Sequence, residues 1–110
     1  MINTLNKKIK AADMGITMYH EHMTIDLSEH KNDPDACLEG QALLADLKQI
    51  KKAGVKTIVE LTNIGMGRDL ERLQFLAAEF DFNIIASTGF YKEPYLPDFF
   101  YQKTKAELAE

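Results

Sequence analysis

The feature that most constrains this chain is a change of hydrophobic period that repeats along it. Between Gly15 and Gly89, short runs rich in β-branched residues alternate with stretches whose apolar residues recur at helical spacing. Gly15-Ile-Thr-Met-Tyr-His-Glu-His-Met23, Val55-Lys-Thr-Ile-Val-Glu-Leu-Thr62 and Asn83-Ile-Ile-Ala-Ser-Thr-Gly89 read as three strands. From about Glu39, residues Leu43, Leu44, Leu47 and Ile50 fall on one face of a helix. Leu70, Leu73, Leu76, Ala77 and Phe80 mark a second helix in the same way. Lys48, Lys51 and Lys52 suit the last turns of the first helix, where cations oppose the helix dipole, and Gly54 suits its C-cap. Asp69 suits the start of the second. Strands alternating with helices imply βαβ units, hence an α/β fold with a parallel sheet and right-handed crossovers.

The intervening segments read as loops. Residues 24–38 are mixed, with Asn32, Asp33, Pro34 and Asp35 as loop residues, and Asn63 to Gly67 is a turn. Pro94 and Pro97 carry the chain to about Asp98, and the helix formers Ala106, Leu108 and Ala109 predict a third helix over Phe99 to Glu110. No linker or low-complexity stretch divides the 110 residues, which suit one small domain.

Composition removes several classes of function. At 45% hydrophobic and 27% charged residues the chain is not disordered. The net charge of −4 argues against a nucleic-acid partner, because a binder needs a basic face to neutralise phosphates. The one basic concentration, Lys48, Lys51, Lys52 and Lys56, reads as a solvated helix face. No stretch approaches the length of a membrane span, and Met1 to Asp13 has no apolar run of a signal peptide. Cys37 is the single cysteine; with no activating base near it in sequence it reads as a small buried or semi-buried residue and not a nucleophile, in a reducing compartment, so the expected location is the cytoplasm.

The chemistry concentrates at the strand ends. In a regular strand, His20 and His22 project to one face, close enough to share a divalent ion, while Glu21 points away. The competing reading is a pair of ordinary strand histidines. Parallel α/β folds place their sites at the C-terminal ends of strands, and the next two strands end in Glu60-Leu-Thr-Asn63 and Ser87-Thr-Gly-Phe-Tyr91. Gly65-Met-Gly67 lacks the Lys-Ser/Thr of a phosphate loop, which excludes a nucleotide site, and His30 lies in a polar loop and reads as exposed.

Gly15 to Met23 resembles the N-terminal signature of the phosphotriesterase family, metal-dependent barrel hydrolases of the amidohydrolase superfamily. The resemblance continues through Ile25-Asp-Leu-Ser28, Glu60-Leu-Thr-Asn63, Met66-Gly-Arg-Asp69 and Ser87-Thr-Gly-Phe-Tyr91, and it is nearest to the phosphotriesterase homology proteins. It implies a partial TIM (β/α)8 barrel: residues 1–110 would be the N-terminal part of one such domain, its first three βα units. It implies that His20 and His22 hold the more buried of two divalent ions, zinc in type, with a bridging hydroxide that attacks an ester, lactone or phosphoester bond of a small molecule. It sets Tyr91 beside the substrate pocket, where rim packing is the alternative. Arg68 would hold an anionic substrate group or pair with Asp69 or Glu71. Asp26 would orient a ligand histidine or cap its own loop, and Glu60 would support a ligand or pair with Arg68.

The same resemblance implies that the set is incomplete. The family's other ligands, and its catalytic groups, come from later strands, so none of the catalytic residues is expected within this chain. An open three-stranded sheet leaves two edges unpaired, which predicts marginal stability, self-association or a missing C-terminal segment as partner. The alternative to a truncated hydrolase is a non-catalytic remnant or a small metal-binding or interaction module.

Overall fold

The computed structural model describes residues 1–38 and 40–109. It begins with a hairpin that sequence periodicity did not reveal: β1 (Ile2–Asn3) runs antiparallel to β2 (Lys8–Ile9). Strands of two residues are too short to show an alternation. Thr4 closes the turn, its hydroxyl oxygen accepting from the Lys7 backbone N–H at 3.2 Å.

The main sheet is parallel, as the alternating pattern required. It consists of β3 (Ile16–Glu21), β4 (Val55–Glu60) and β5 (Asn83–Ala86) in the order β3-β4-β5. Between them lie α1 (Ser28–Lys31), α2 (Gly40–Lys52) and α3 (Leu70–Phe80), and α4 (Lys105–Leu108) follows. The leucine rows fall where their spacing put them except for Leu70, which is exposed at the start of α3. Leu43 and Leu47 of α2 and Leu73, Leu76 and Ala77 of α3 form one core with Ile58, Phe82 and Ile84. Each leucine, isoleucine or phenylalanine of this set removed from water stabilises the fold by roughly 1.5–3 kcal/mol.

The helix signals also hold. The Asp69 carboxylate accepts from the Arg72 N–H at 3.0 Å, capping α3. After α2 the chain turns through Gly54 at φ 98°, a left-handed conformation that glycine adopts without strain. Lys51 extends across to the end of α3, where its ammonium donates to the Asp81 carbonyl at 2.8 Å.

Three expectations need correction. The strands are shorter than predicted, because Leu61 to Thr62 and Ser87 to Gly89 leave the sheet to form the rim. Residues Ser28–Lys31 of the predicted loop make one helical turn. The helix predicted from Phe99 is two pieces, a 3-10 turn at Asp98–Gln102 and the short α4, separated by Lys103 and Thr104 in extended conformation. Thr104 restarts the helix: its hydroxyl accepts from the Glu107 N–H while the Glu107 carboxylate accepts from the Thr104 N–H. Glu39 and Glu110, where the first predicted helix begins and the last ends, lie outside the described residues. At the β5 edge, the Leu5 N–H donates to the Ile84 carbonyl at 2.9 Å, so the N-terminal segment meets part of that edge.

Candidate active site at the strand ends

The loops that follow the three main strands meet in one place. The Asp26 N–H, after β3, donates to the Met66 carbonyl, after β4, at 2.8 Å. Ile64 bridges to Phe90, which follows β5. Two glycines make this approach possible. A Cβ at Gly65 would overlap the Tyr95 carbonyl oxygen, and one at Gly67 would lie 2.7 Å from the Asp26 Cβ. Both glycines also have positive φ, 93° and 81°. The Gly65-Met-Gly67 pattern therefore serves loop crossing.

His20 and His22 come together here by a route that regular alternation did not foresee. Met18 pairs with Ile58 and Glu21 with Glu60, so three steps along β3 match two along β4. This is a bulge, a feature that re-aims side chains near sites. His22 lies one residue beyond the strand. The two rings are nonetheless adjacent, with centroids 5.7 Å apart and planes at 68°. His20 is exposed and His22 half-buried. His22 Nδ1 lies 3.0 Å from the Thr62 hydroxyl. Thr62 is held in turn by Glu60, whose Oε1 accepts from the Thr62 N–H at 2.7 Å. Both Glu60 and Thr62 are 1% exposed. The other Glu60 oxygen, Oε2, is buried without a partner, as are Thr24 Oγ1, Asn63 Oδ1 and Ser87 Oγ.

Two adjacent imidazoles, one with Nδ1 already engaged, suit a divalent ion as donors. They form half of a tetrahedral shell, whereas catalytic zinc takes three protein ligands. Among the described residues no group of three or more His, Cys, Asp or Glu side chains could hold a metal ion.

A model of the phosphotriesterase family matches residues 1–110. This chain belongs to the phosphotriesterase family. It is 37% identical over 105 residues to a phosphotriesterase homology protein of Mycobacterium tuberculosis, covering 91% of this chain and 32% of that one. It is 32% identical over 107 residues to an aryldialkylphosphatase of Saccharolobus solfataricus, covering 93% and 34%. The crystal structure of the Escherichia coli phosphotriesterase homology protein, complexed with phosphate in its active site, superposes with a TM-score of 0.81 at 33% identity, over 88% of this chain and 34% of that one. The chain thus spans about a third of the length of the phosphotriesterase relatives it matches. Its parallel sheet and helices are a partial α/β barrel of the phosphotriesterase kind.

Asp26 caps its own loop: Oδ1 accepts from the Ser28 N–H at 3.0 Å and from the Ser28 hydroxyl. Those two bonds, the hydroxyl first, hold its carboxyl below the ordinary value of 3.8. Glu60 reaches His22 only through Thr62, a residue that sequence reasoning passed over within the Glu60-Leu-Thr-Asn63 motif. Arg68 donates from Nη1 to the Ser87 carbonyl at 2.9 Å and so ties the rim after β4 to the rim after β5. Tyr91 is 41% exposed, with its ring 5.2 Å from that of buried Tyr95. His30, on α1, is exposed but rests edge-on against Tyr95 at 4.7 Å. Cys37 is half-buried.

Proposed function

We propose that this chain supplies the first part of a metal-dependent hydrolase site of the phosphotriesterase type, acting on ester, lactone or phosphoester bonds of small molecules. The observation that carries this reading is the adjacency of the His20 and His22 rings at the end of β3. Their nitrogens would hold a divalent ion, zinc in type, in a family site that takes two. Such an ion lowers the pKa of bound water and polarises the bond to be broken. Thr62 and Glu60 brace His22 from behind. Arg68 and Tyr91 stand on the same rim, where a guanidinium and a phenol can face an anionic substrate. Residues 1–110 act as the opening part of a single barrel domain, in the cytoplasm, a location supported by the single cysteine. In the described residues, no helix is long and apolar enough to cross a membrane.

Two histidines are too few donors for turnover, so the remaining ligands must come from residues outside this span, as a C-terminal segment or another chain. The test combines metal analysis with hydrolysis of ester, lactone and phosphotriester substrates, with and without a C-terminal family segment added in trans. The expected result is no turnover by residues 1–110 alone and zinc-dependent turnover after complementation, abolished by His20→Ala or His22→Ala. Turnover by the isolated chain would overturn the claim of incompleteness. The absence of a third donor among the described residues also fits a second reading, a non-catalytic module. Zinc binding with no turnover on complementation would establish it.

A further inference from the structure

We infer that Thr62 is the positioning residue of His22: its hydroxyl holds the imidazole with the hydrogen on Nδ1 and leaves Nε2 as the nitrogen available to an ion. The ion itself rests on the reading proposed above; the tautomer does not. A neutral imidazole has one donor nitrogen and one acceptor nitrogen, and the group bonded to one decides what the other can do. His22 Nδ1 is 3.0 Å from the Thr62 hydroxyl, so Nε2 is the nitrogen left open.

Three observations show why this hydroxyl can govern the ring. Thr62 is 1% exposed, so water competes little for its hydroxyl in this part-buried bond. Its backbone is pinned by the 2.7 Å bond from its N–H to Glu60 Oε1, and a β-branched side chain on a pinned backbone has few rotamers. Glu60 also sets the polarity. Its carboxylate is 1% exposed, lies against the Thr62 backbone and keeps Oε2 without a partner. An acceptor carboxylate on that side favours a hydroxyl hydrogen turned away from the ring, with no direct hydrogen bond between the two side chains. The hydroxyl lone pairs then face the ring and accept from Nδ1–H. Support of a ligand histidine through its other nitrogen is the general way in which proteins orient such ligands, and losing it costs about 10–100-fold in metal affinity.

The test uses the 110-residue chain, metal-free, in mildly alkaline buffer where an ordinary imidazole is neutral. Nitrogen-15 shifts of the His22 ring report which nitrogen carries the hydrogen. Wild type and Thr62→Ser should show hydrogen on Nδ1. Thr62→Val, which keeps the shape and removes the hydroxyl, should move His22 toward the Nε2–H form of an unconstrained histidine. A zinc titration of the same samples should give affinity about tenfold weaker in Thr62→Val and restored in Thr62→Ser. An Nε2–H ring in wild type overturns the inference, and this result needs no variant to fold. A His22 ring unchanged in folded Thr62→Val also overturns it. If zinc fails to bind wild type even with the C-terminal family segment added while the tautomer still follows Thr62, the metal reading falls and the positioning role stands.

Discussion

The core between helices and sheet and the rim at the strand ends adjoin the same three strands and are built from opposite materials. Between α2, α3 and the sheet, Leu43, Leu47, Ile58, Leu73, Leu76 and Ile84 bury only carbon. At the rim, Thr24, Glu60 and Thr62 are buried just as deeply and carry oxygen. Four buried rim atoms have no hydrogen-bond partner: Thr24 Oγ1, Glu60 Oε2, Asn63 Oδ1 and Ser87 Oγ. An unsatisfied buried polar group costs about 1–3 kcal/mol. The first region therefore stabilises the fold, and the second draws that stability down while bringing polar groups from distant segments together. Stability and chemistry occupy separate places along each strand.

Truncation should be costly on one side of this divide and near neutral or stabilising on the other. The largest effect belongs to Leu73→Ala. Leu73 is 0% exposed, and its loss should cost roughly 2–5 kcal/mol, read as a lower denaturant midpoint. Ser87→Ala removes an unpartnered buried hydroxyl, so stability should stay within about 0.5 kcal/mol of wild type or rise. A loss comparable with Leu73→Ala would mean that the hydroxyl is bonded in solution, and the contrast between the regions would collapse. The smallest effect concerns Asp26, where the rim is satisfied by local bonds. Its folded pKa is depressed, so its contribution is present above 3.8 and is lost as pH falls through the folded value. Ser28→Ala should raise that pKa toward 3.8, as seen in the Asp26 carboxyl carbon shift during acid titration. No upward shift would mean that the cap does not persist in solution.

How much of this was readable from the residues follows the same divide. The helix-covered layer was legible because Leu43 and Leu47, or Leu73 and Leu76, repeat within one helix and need no knowledge of distant residues. Asp69 and Gly54 marked ends for the same local reason. The break before α4 was also written locally, in Thr104 and Glu107, and was masked by the helix formers that follow. The rim was legible only as a collection of motifs. That His20 and His22 meet could be argued from spacing, but the bulge between Met18 and Glu21 depends on pairing with β4. Thr62 lies 40 positions from His22, and no local pattern announces a hydroxyl placed on a ring that far away.

The crossing at Gly65 and Gly67 has a consequence for how such a rim can change. Each glycine admits backbone or side chain from a loop remote in sequence, Tyr95 over Gly65 and Asp26 beside Gly67. The three loops are therefore interlocked parts and not separate cassettes. Exchanging the segment after one strand for a relative's version would present a foreign surface to the other two. Recombination that preserves the fold should accordingly move all three loops as one block, so this rim would diversify by coordinated replacement.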